Sequence, residues 1–188
     1  MAFFDHIQLK SRCLPLYLQS ELAECGITCV AMLACFHGFK INMPAMRQKY
    51  PVGNNGLTVK QIVQIAAELG MSARVLKLEL SQLIQVKSPV ILHWNLNHFI
   101  TLAKVSNKGV VIHDPAKGRR TLNWQQVAES FSGIAIELFP AANYERKGLF
   151  QPVPQRRLSN NAFSFWPSLS KILLIALVLK GLIFISFN

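Results

Sequence analysis

Apolar positions in the first half of the chain recur at helical spacing. Three helices are predicted there: residues 25–37, a short one running from its cap at Asn42 to Tyr50, and one from Thr58 to Gly70. The first carries an apolar stripe that begins at Cys29, and Gly38 is expected to end it. Asn42 and Thr58 are favourable N-cap residues, and Thr58 forms a capping-box pattern with Gln61.

The second half changes to short apolar runs separated by turn residues, a pattern typical of strands. The expected strands are Ser72–Lys77, Val90–Trp94, His98–Val105, Gly109–Asp114 and Ile134–Phe139, with short helices over Glu79–Val86 and after Asn123. The turn at residues 106–109 predicts a hairpin whose pairing places Asp114 opposite residues near 99–101, close to His98. Helices precede antiparallel strands without βαβ alternation, so the predicted class is α+β.

Hydropathy divides the chain into three expected regions. These are a domain over residues 1–140, a basic linker over 141–162, and the truncated start of a membrane-spanning region over 163–188. The apolar run Lys171–Phe187 resembles the beginning of a transmembrane helix. It falls short of the ~20 apolar residues that a span needs, and it contains Lys180.

The net charge of +11 is spread along the chain instead of following one helix, so a nucleic-acid-binding protein is not expected. Several basic residues precede the apolar end: Arg146, Lys147, Arg156, Arg157 and Lys171. Such a stretch is typical of the cytoplasmic side of a membrane span. The N-terminus lacks the features of a signal peptide, which favours a cytoplasmic domain.

The four cysteines do not indicate a metal or disulfide framework. Cys25 and Cys29 have the spacing of one helix face, which differs from the short-loop spacing of a zinc site. A reducing compartment disfavours disulfides, so Cys29 and Cys35 are interpreted as small core residues.

Four polar residues can supply the parts of a thiol-based active site. They are Gln19, Cys25, His98 and Asp114. Cys25 lies at a predicted helix start, where the dipole favours a thiolate. His98 is the candidate base and Asp114 its orienting acceptor, while Gln19 could donate to an oxyanion.

Each candidate also has a structural interpretation when taken alone. Cys25 could be a further buried thiol, Asp114 a turn cap, and Gln19 an exposed loop residue. His93 competes with His98 but has no predicted acidic partner. The remaining histidines have plain structural interpretations: His6, His37 and His113.

Taken together, these residues resemble the peptidase domain of bacteriocin-exporting ABC transporters of the colicin V secretion type. The matching segments are Gln19–Met32, Glu68–Met71, Ile91–Thr101 and Val111–Arg119. The resemblance implies a papain-like fold in which Cys25 is the nucleophile, His98 the general base and acid, Asp114 the orienting residue and Gln19 the oxyanion donor. It also implies cleavage of a precursor's leader peptide after a Gly-Gly pair, on the cytoplasmic side of the bacterial inner membrane.

The resemblance implies partners that this sequence does not contain. An exporter would add membrane and ATPase domains and is expected to be a dimer. No phosphate loop occurs in the chain, so ATP would be used only by an ATPase domain elsewhere, and the peptidase itself needs no cofactor or metal. Two alternatives stay open: a non-catalytic domain that binds leader peptides, and another papain-like acyl-transfer enzyme such as a transglutaminase or amidase.

Overall fold

The structure is a computed structural model that describes residues 13–142 together with residues 170, 171, 173 and 174. The chain divides into two compact units, residues 1–151 and residues 152–188. The predicted linker and apolar segment lie almost wholly outside the described residues and stay predictions. Among the residues that are described, no helix combines the length and hydrophobicity needed to cross a bilayer.

The first unit combines helices with one antiparallel sheet, as the α+β prediction required. Its helices are α1 (Cys25–Phe36), α2 (Met43–Lys49), α3 (Val59–Glu68) and α4 (Trp124–Ser130), with 3-10 helices at Leu22–Glu24 and Leu80–Gln85. Its strands are β1 (Met71–Lys77), β2 (Val90–Trp94), β3 (His98–Ser106), β4 (Gly109–Asp114), β5 (Gly118–Leu122) and β6 (Phe131–Pro140). The strand order in the sheet is β1-β6-β2-β3-β4-β5.

Capping side chains set the helix starts where the sequence predicted them. The Asn42 side chain accepts a hydrogen bond from the Ala45 N–H at 2.9 Å and opens α2. Thr58 and Gln61 form a reciprocal capping box at the start of α3. These bonds satisfy donors that helical geometry leaves unpaired, so the predicted helix positions are confirmed.

Two apolar layers cover the two faces of the sheet because alternate strand residues point to opposite sides. Ile91 and Phe99 belong to the cluster that contains most of α1. Leu92 and Ile100 belong to the cluster that contains Val127 of α4. The centre of the sheet is therefore buried on both sides, and α1 packs against it through β3.

The β3–β4 hairpin has the register that its turn predicted. Ser106 pairs with Gly109 and Thr101 with His113, so the strand ends that carry His98 and Asp114 meet. Gly109 has a φ of 142°, and a Cβ there would lie 2.1 Å from the Leu122 carbonyl oxygen. Only glycine lets the hairpin approach β5 this closely.

Two features of the sheet differ from the sequence prediction. Strand β5 was not predicted, because its Arg119 and Arg120 interrupt the apolar pattern in the way that an edge strand tolerates. The prediction that β6 begins at Ile134 was wrong. The strand begins at Phe131 and passes through Gly133 at a φ of 83°, where its pairing with β2 is irregular.

Candidate active site

Cys25 is the first residue of α1, directly after the 3-10 helix Leu22–Glu24. Its side chain is almost buried, with 4% exposure, and it lines an open cavity. A helix N-terminus presents unpaired N–H groups and a positive dipole end, both of which favour a thiolate. Its place at the helix start agrees with the sequence prediction.

His98 and Asp114 meet across the β3–β4 hairpin. His98 is the first residue of β3 and Asp114 the last of β4, and the His98 Nε2 lies 2.9 Å from the Asp114 Oδ1. The same Oδ1 accepts a hydrogen bond from the Ala116 N–H at 2.9 Å. Asp114 is 2% exposed, and although burial opposes ionisation, its bonds to His98 and Ala116 hold the pKa of its carboxyl below the ordinary value.

The environment of His98 favours the protonated ring. Burial alone would lower its pKa, but hydrogen bonding to Asp114 and to Cys25, with the charges of both groups, raises it to about 9. At neutral pH the ring is therefore an imidazolium. An imidazolium between a thiol and a carboxylate is the arrangement that nucleophilic thiol chemistry uses.

Gln19 is held near these residues by its backbone. The Gln19 N–H donates to the Pro115 carbonyl oxygen at 2.9 Å, which ties it to the residue after Asp114. Its amide Nε2 lies 3.4 Å from the Leu22 carbonyl oxygen, and its Oε1 is buried without a partner within the described part of the chain. An amide nitrogen with one weak bond keeps a second N–H for another acceptor.

All four candidates line one cavity of about 690 Å³: Gln19, Cys25, His98 and Asp114. Its wall also contains groups that the sequence analysis missed, including Asn97, Lys117 and Arg120. The Arg120 Nη1 lies 4.0 Å from the second Asp114 oxygen. Arg120 was missed because β5 was not predicted, and an arginine six residues after Asp114 carries no distinct signal in the sequence.

The competing histidines and cysteines have other surroundings. The His93 Nδ1 lies 2.7 Å from the Ser132 Oγ, and the His113 Nδ1 lies 3.1 Å from the Pro15 carbonyl oxygen. Cys29 is fully buried, and this burial raises the pKa of its thiol well above the ordinary value, as expected for a core residue. Cys35 is half-buried, with its sulfur 3.4 Å from the Tyr17 hydroxyl. His6 lies outside the described residues.

A metal centre has no basis in the described residues. No group of three or more histidine, cysteine, aspartate or glutamate side chains comes together there in a way that could hold an ion.

The chain is similar to known proteins in sequence and in fold. The chain is 34% identical over 171 residues to the colicin V secretion/processing ATP-binding protein CvaB of Escherichia coli, a match covering 91% of the chain and 24% of that protein. The chain thus spans about a quarter of the length of this curated relative.

Solved structures of similar fold include two peptidase domains. One is a double glycine motif protease from an AMS/PCAT transporter in complex with the leader peptide, with a TM-score of 0.65, 28% identity, and coverage of 69% of this chain and 94% of that one. The other is the peptidase domain of Streptococcus ComA, with a TM-score of 0.62, 23% identity, and coverage of 68% and 99%. The sequence profile of the Peptidase C39 family matches residues 14–143, which include the whole cavity. The chain therefore belongs to the Peptidase C39 family.

Proposed function

We propose that this domain is a cysteine peptidase that removes the leader of a precursor peptide by cutting after a Gly-Gly pair. The observation that carries the proposal is the bond between His98 and Asp114 beside Cys25 in one cavity. The roles proposed are those of nucleophile for Cys25, general base and acid for His98, orienting residue for Asp114 and oxyanion donor for Gln19. Side chains and water suffice for this reaction, so no cofactor enters it.

The proposed reaction proceeds through an acyl-enzyme. With the proton already held by the His98 ring, the Cys25 sulfur attacks the carbonyl carbon of the second glycine. The resulting oxyanion accepts hydrogen bonds from the Gln19 amide and the Cys25 backbone N–H. The His98 imidazolium protonates the departing amine. Water then attacks the acyl-enzyme: its hydroxyl stays on the leader, which leaves as a free acid, its proton returns to His98, and the Cys25 sulfur is released.

The substrate class is inferred from the relatives and from the cavity. The solved double glycine motif protease is 28% identical and holds a leader peptide, and the E. coli relative processes and secretes colicin V. Glycines suit a site whose nucleophile is only 4% exposed, because a side chain next to the scissile carbonyl would obstruct close approach.

The same relatives support an assignment to an exporter. We infer that the domain works with the membrane and ATPase parts of an ABC transporter, as a dimer, on the cytoplasmic side of the bacterial inner membrane. Residues 163–188 would then lead into the membrane part. The precursor peptide, and not the membrane, is the partner that the cavity itself receives.

The two alternatives give different results. A docking domain does not require a thiol beside a histidine–aspartate pair, so the presence of Cys25, His98 and Asp114 in one cavity supports the peptidase. A transglutaminase-type enzyme would transfer the acyl group to an added amine instead of water. Supplying primary amines during the cleavage assay separates these outcomes by product mass.

Cleavage of a double-glycine precursor is the direct test. We expect mass spectrometry to find one cut, after the second glycine, when the chain is incubated with such a precursor. A matched precursor with leucine in place of that glycine should be cut at least about 100-fold more slowly, because the leucine side chain blocks approach of the carbonyl to the sulfur. Equal cleavage of both precursors, or binding without cleavage, would contradict the proposal.

The pH dependence of cleavage should follow His98. Its pKa of about 9 means that the protonated ring is present below pH 9 and is lost above it. We therefore expect kcat/KM to fall as the pH rises through about 9, since the imidazolium is needed to protonate the leaving amine. In Asp114→Asn the hydrogen bond to a carboxylate is gone, so this basic limb should move to lower pH. A limb at the same pH in both proteins would contradict the assignment.

A further inference from the structure

A buried acid lies immediately before the nucleophile. Glu24 is 7% exposed, and its Oε2 accepts hydrogen bonds from the backbone N–H of Ser20 at 2.7 Å and of Glu21 at 3.4 Å. It also forms a capping box with Glu21 around the 3-10 helix Leu22–Glu24. One carboxylate therefore organises most of the segment that joins Gln19 to Cys25.

Arg47 of α2 reaches this carboxylate from a different part of the fold. Its Nε lies 2.6 Å from the Glu24 Oε1 and its Nη2 lies 3.0 Å from the Oε2, which is the bidentate geometry of a strong ion pair. The same Nη2 donates to the Ser20 Oγ at 2.8 Å. We call these two side chains, Glu24 and Arg47, the clamp.

The clamp is ionised at neutral pH. Although burial works in the opposite direction, hydrogen bonds from Arg47 and from the Ser20 N–H hold the pKa of Glu24 below its ordinary value. The charge that faces it is Arg47, from α2, and the Glu21 carboxylate also acts on Arg47. A buried carboxylate without its cation would be strongly unfavourable, so the segment is expected to rearrange if Arg47 is removed.

The clamp holds one side of the segment that joins Gln19 to Cys25. The hydrogen bond from the Gln19 backbone N–H to Pro115 holds the other side. We propose that Glu24 and Arg47 are positioning residues for the peptidase reaction, which hold the Gln19 amide in register with the Cys25 sulfur. This inference rests on the proposed function. It assigns a role in the reaction to α2, whose Arg47 pairs with Glu24 and which supplies no residue to the cavity wall.

The test compares Arg47→Met and Arg47→Lys with the matched variant Arg74→Met. Arg74 also pairs with a glutamate, Glu137, but Arg74 lies on β1, a strand at the edge of the sheet. We expect Arg47→Met to lower kcat roughly 10- to 100-fold while KM changes little, because misplacing a reacting group by about 1 Å has an effect of this size. Arg47→Lys should recover part of the loss, and Arg74→Met should match the wild type.

Two thiol probes separate positioning from loss of the fold. Iodoacetamide alkylates Cys25 without an oxyanion, so its rate should be unchanged in Arg47→Met. The second probe is a leader peptide that ends in glycine aldehyde. The Cys25 sulfur forms a bond to its aldehyde carbon, and the carbonyl π electrons move to the oxygen, which becomes an oxyanion. That oxyanion then takes the proton of the His98 imidazolium. The affinity of this aldehyde should fall in Arg47→Met by the same factor as kcat.

The outcomes are distinct. If kcat and aldehyde affinity are unchanged in Arg47→Met, the positioning role of the clamp is wrong. It is also wrong if the rate of alkylation falls by the same factor as kcat, because that result would mean a general structural role. If the wild type binds the aldehyde but does not cut the precursor, the proposed function fails, and the clamp is still judged by aldehyde affinity in Arg47→Met. If the wild type does neither, both fail.

Discussion

Replacing Cys25 with alanine is expected to abolish cleavage of a double-glycine precursor, lowering kcat/KM by at least roughly 10⁴-fold. The effect is this large because no other group in the cavity wall is a thiol, and the acyl-enzyme cannot form without the sulfur. Mass spectrometry of the precursor after incubation with each protein measures it. Residual cleavage would reflect hydrolysis assisted only by the remaining polar groups of the site.

The fold should survive this substitution. Cys25→Ala removes one sulfur atom at the start of α1, and the unfolding free energy should change by about 1 kcal/mol. Cys13→Ala is the matched control, because Cys13 is an exposed thiol away from the cavity wall, and its cleavage rate should equal that of the wild type. Full cleavage activity in Cys25→Ala would contradict the proposal that Cys25 is the nucleophile of a peptidase.

His98→Gln is expected to have the second largest effect, with kcat lower by at least roughly 10³-fold. Glutamine can fill the space and hydrogen-bond to Asp114, but it cannot accept the thiol proton or return a proton to the leaving amine. KM should change less than kcat, because binding of the remote parts of the leader does not depend on this ring. Steady-state cleavage of the precursor gives both constants.

His93→Gln is the matched control for this prediction. His93 is a histidine on the neighbouring strand β2 whose ring bonds to Ser132, and burial lowers its pKa. The kcat/KM of His93→Gln should stay within about 3-fold of the wild-type value, the range typical of a substitution away from the reacting atoms. If His93→Gln lost cleavage and His98→Gln retained it, the assignment of the base would be reversed.

The helices of this fold could be predicted because their signals are local. Capping at Asn42 and Thr58 satisfies nearby N–H groups, and the apolar residues of α1 recur at helical spacing in a helix that is buried at ten of its twelve positions. The β3–β4 register was also predictable, since a tight turn at Ser106–Gly109 determines which residues face each other. That register placed Asp114 beside His98 before any packing was known.

The unpredicted parts depend on contacts between distant segments. Strand β5 has a charged, edge-type sequence and forms because β4 offers it a partner. The position of Arg120, on that strand, near the Asp114 carboxylate was therefore not predicted. Likewise, nothing local connects Arg47 with Glu24, which lies 23 positions away and in another element.

The sequence by itself determined the fold class, the helix starts, the hairpin register and the identity of the candidate residues, because each depends on spacing along the chain. Only the tertiary structure decided how the Gln19 backbone is held, that Arg120 lies near Asp114, and that α2 supports the segment before Cys25. Packing decides these features, since burial and ion pairing act through space between residues whose separation in sequence carries no signal.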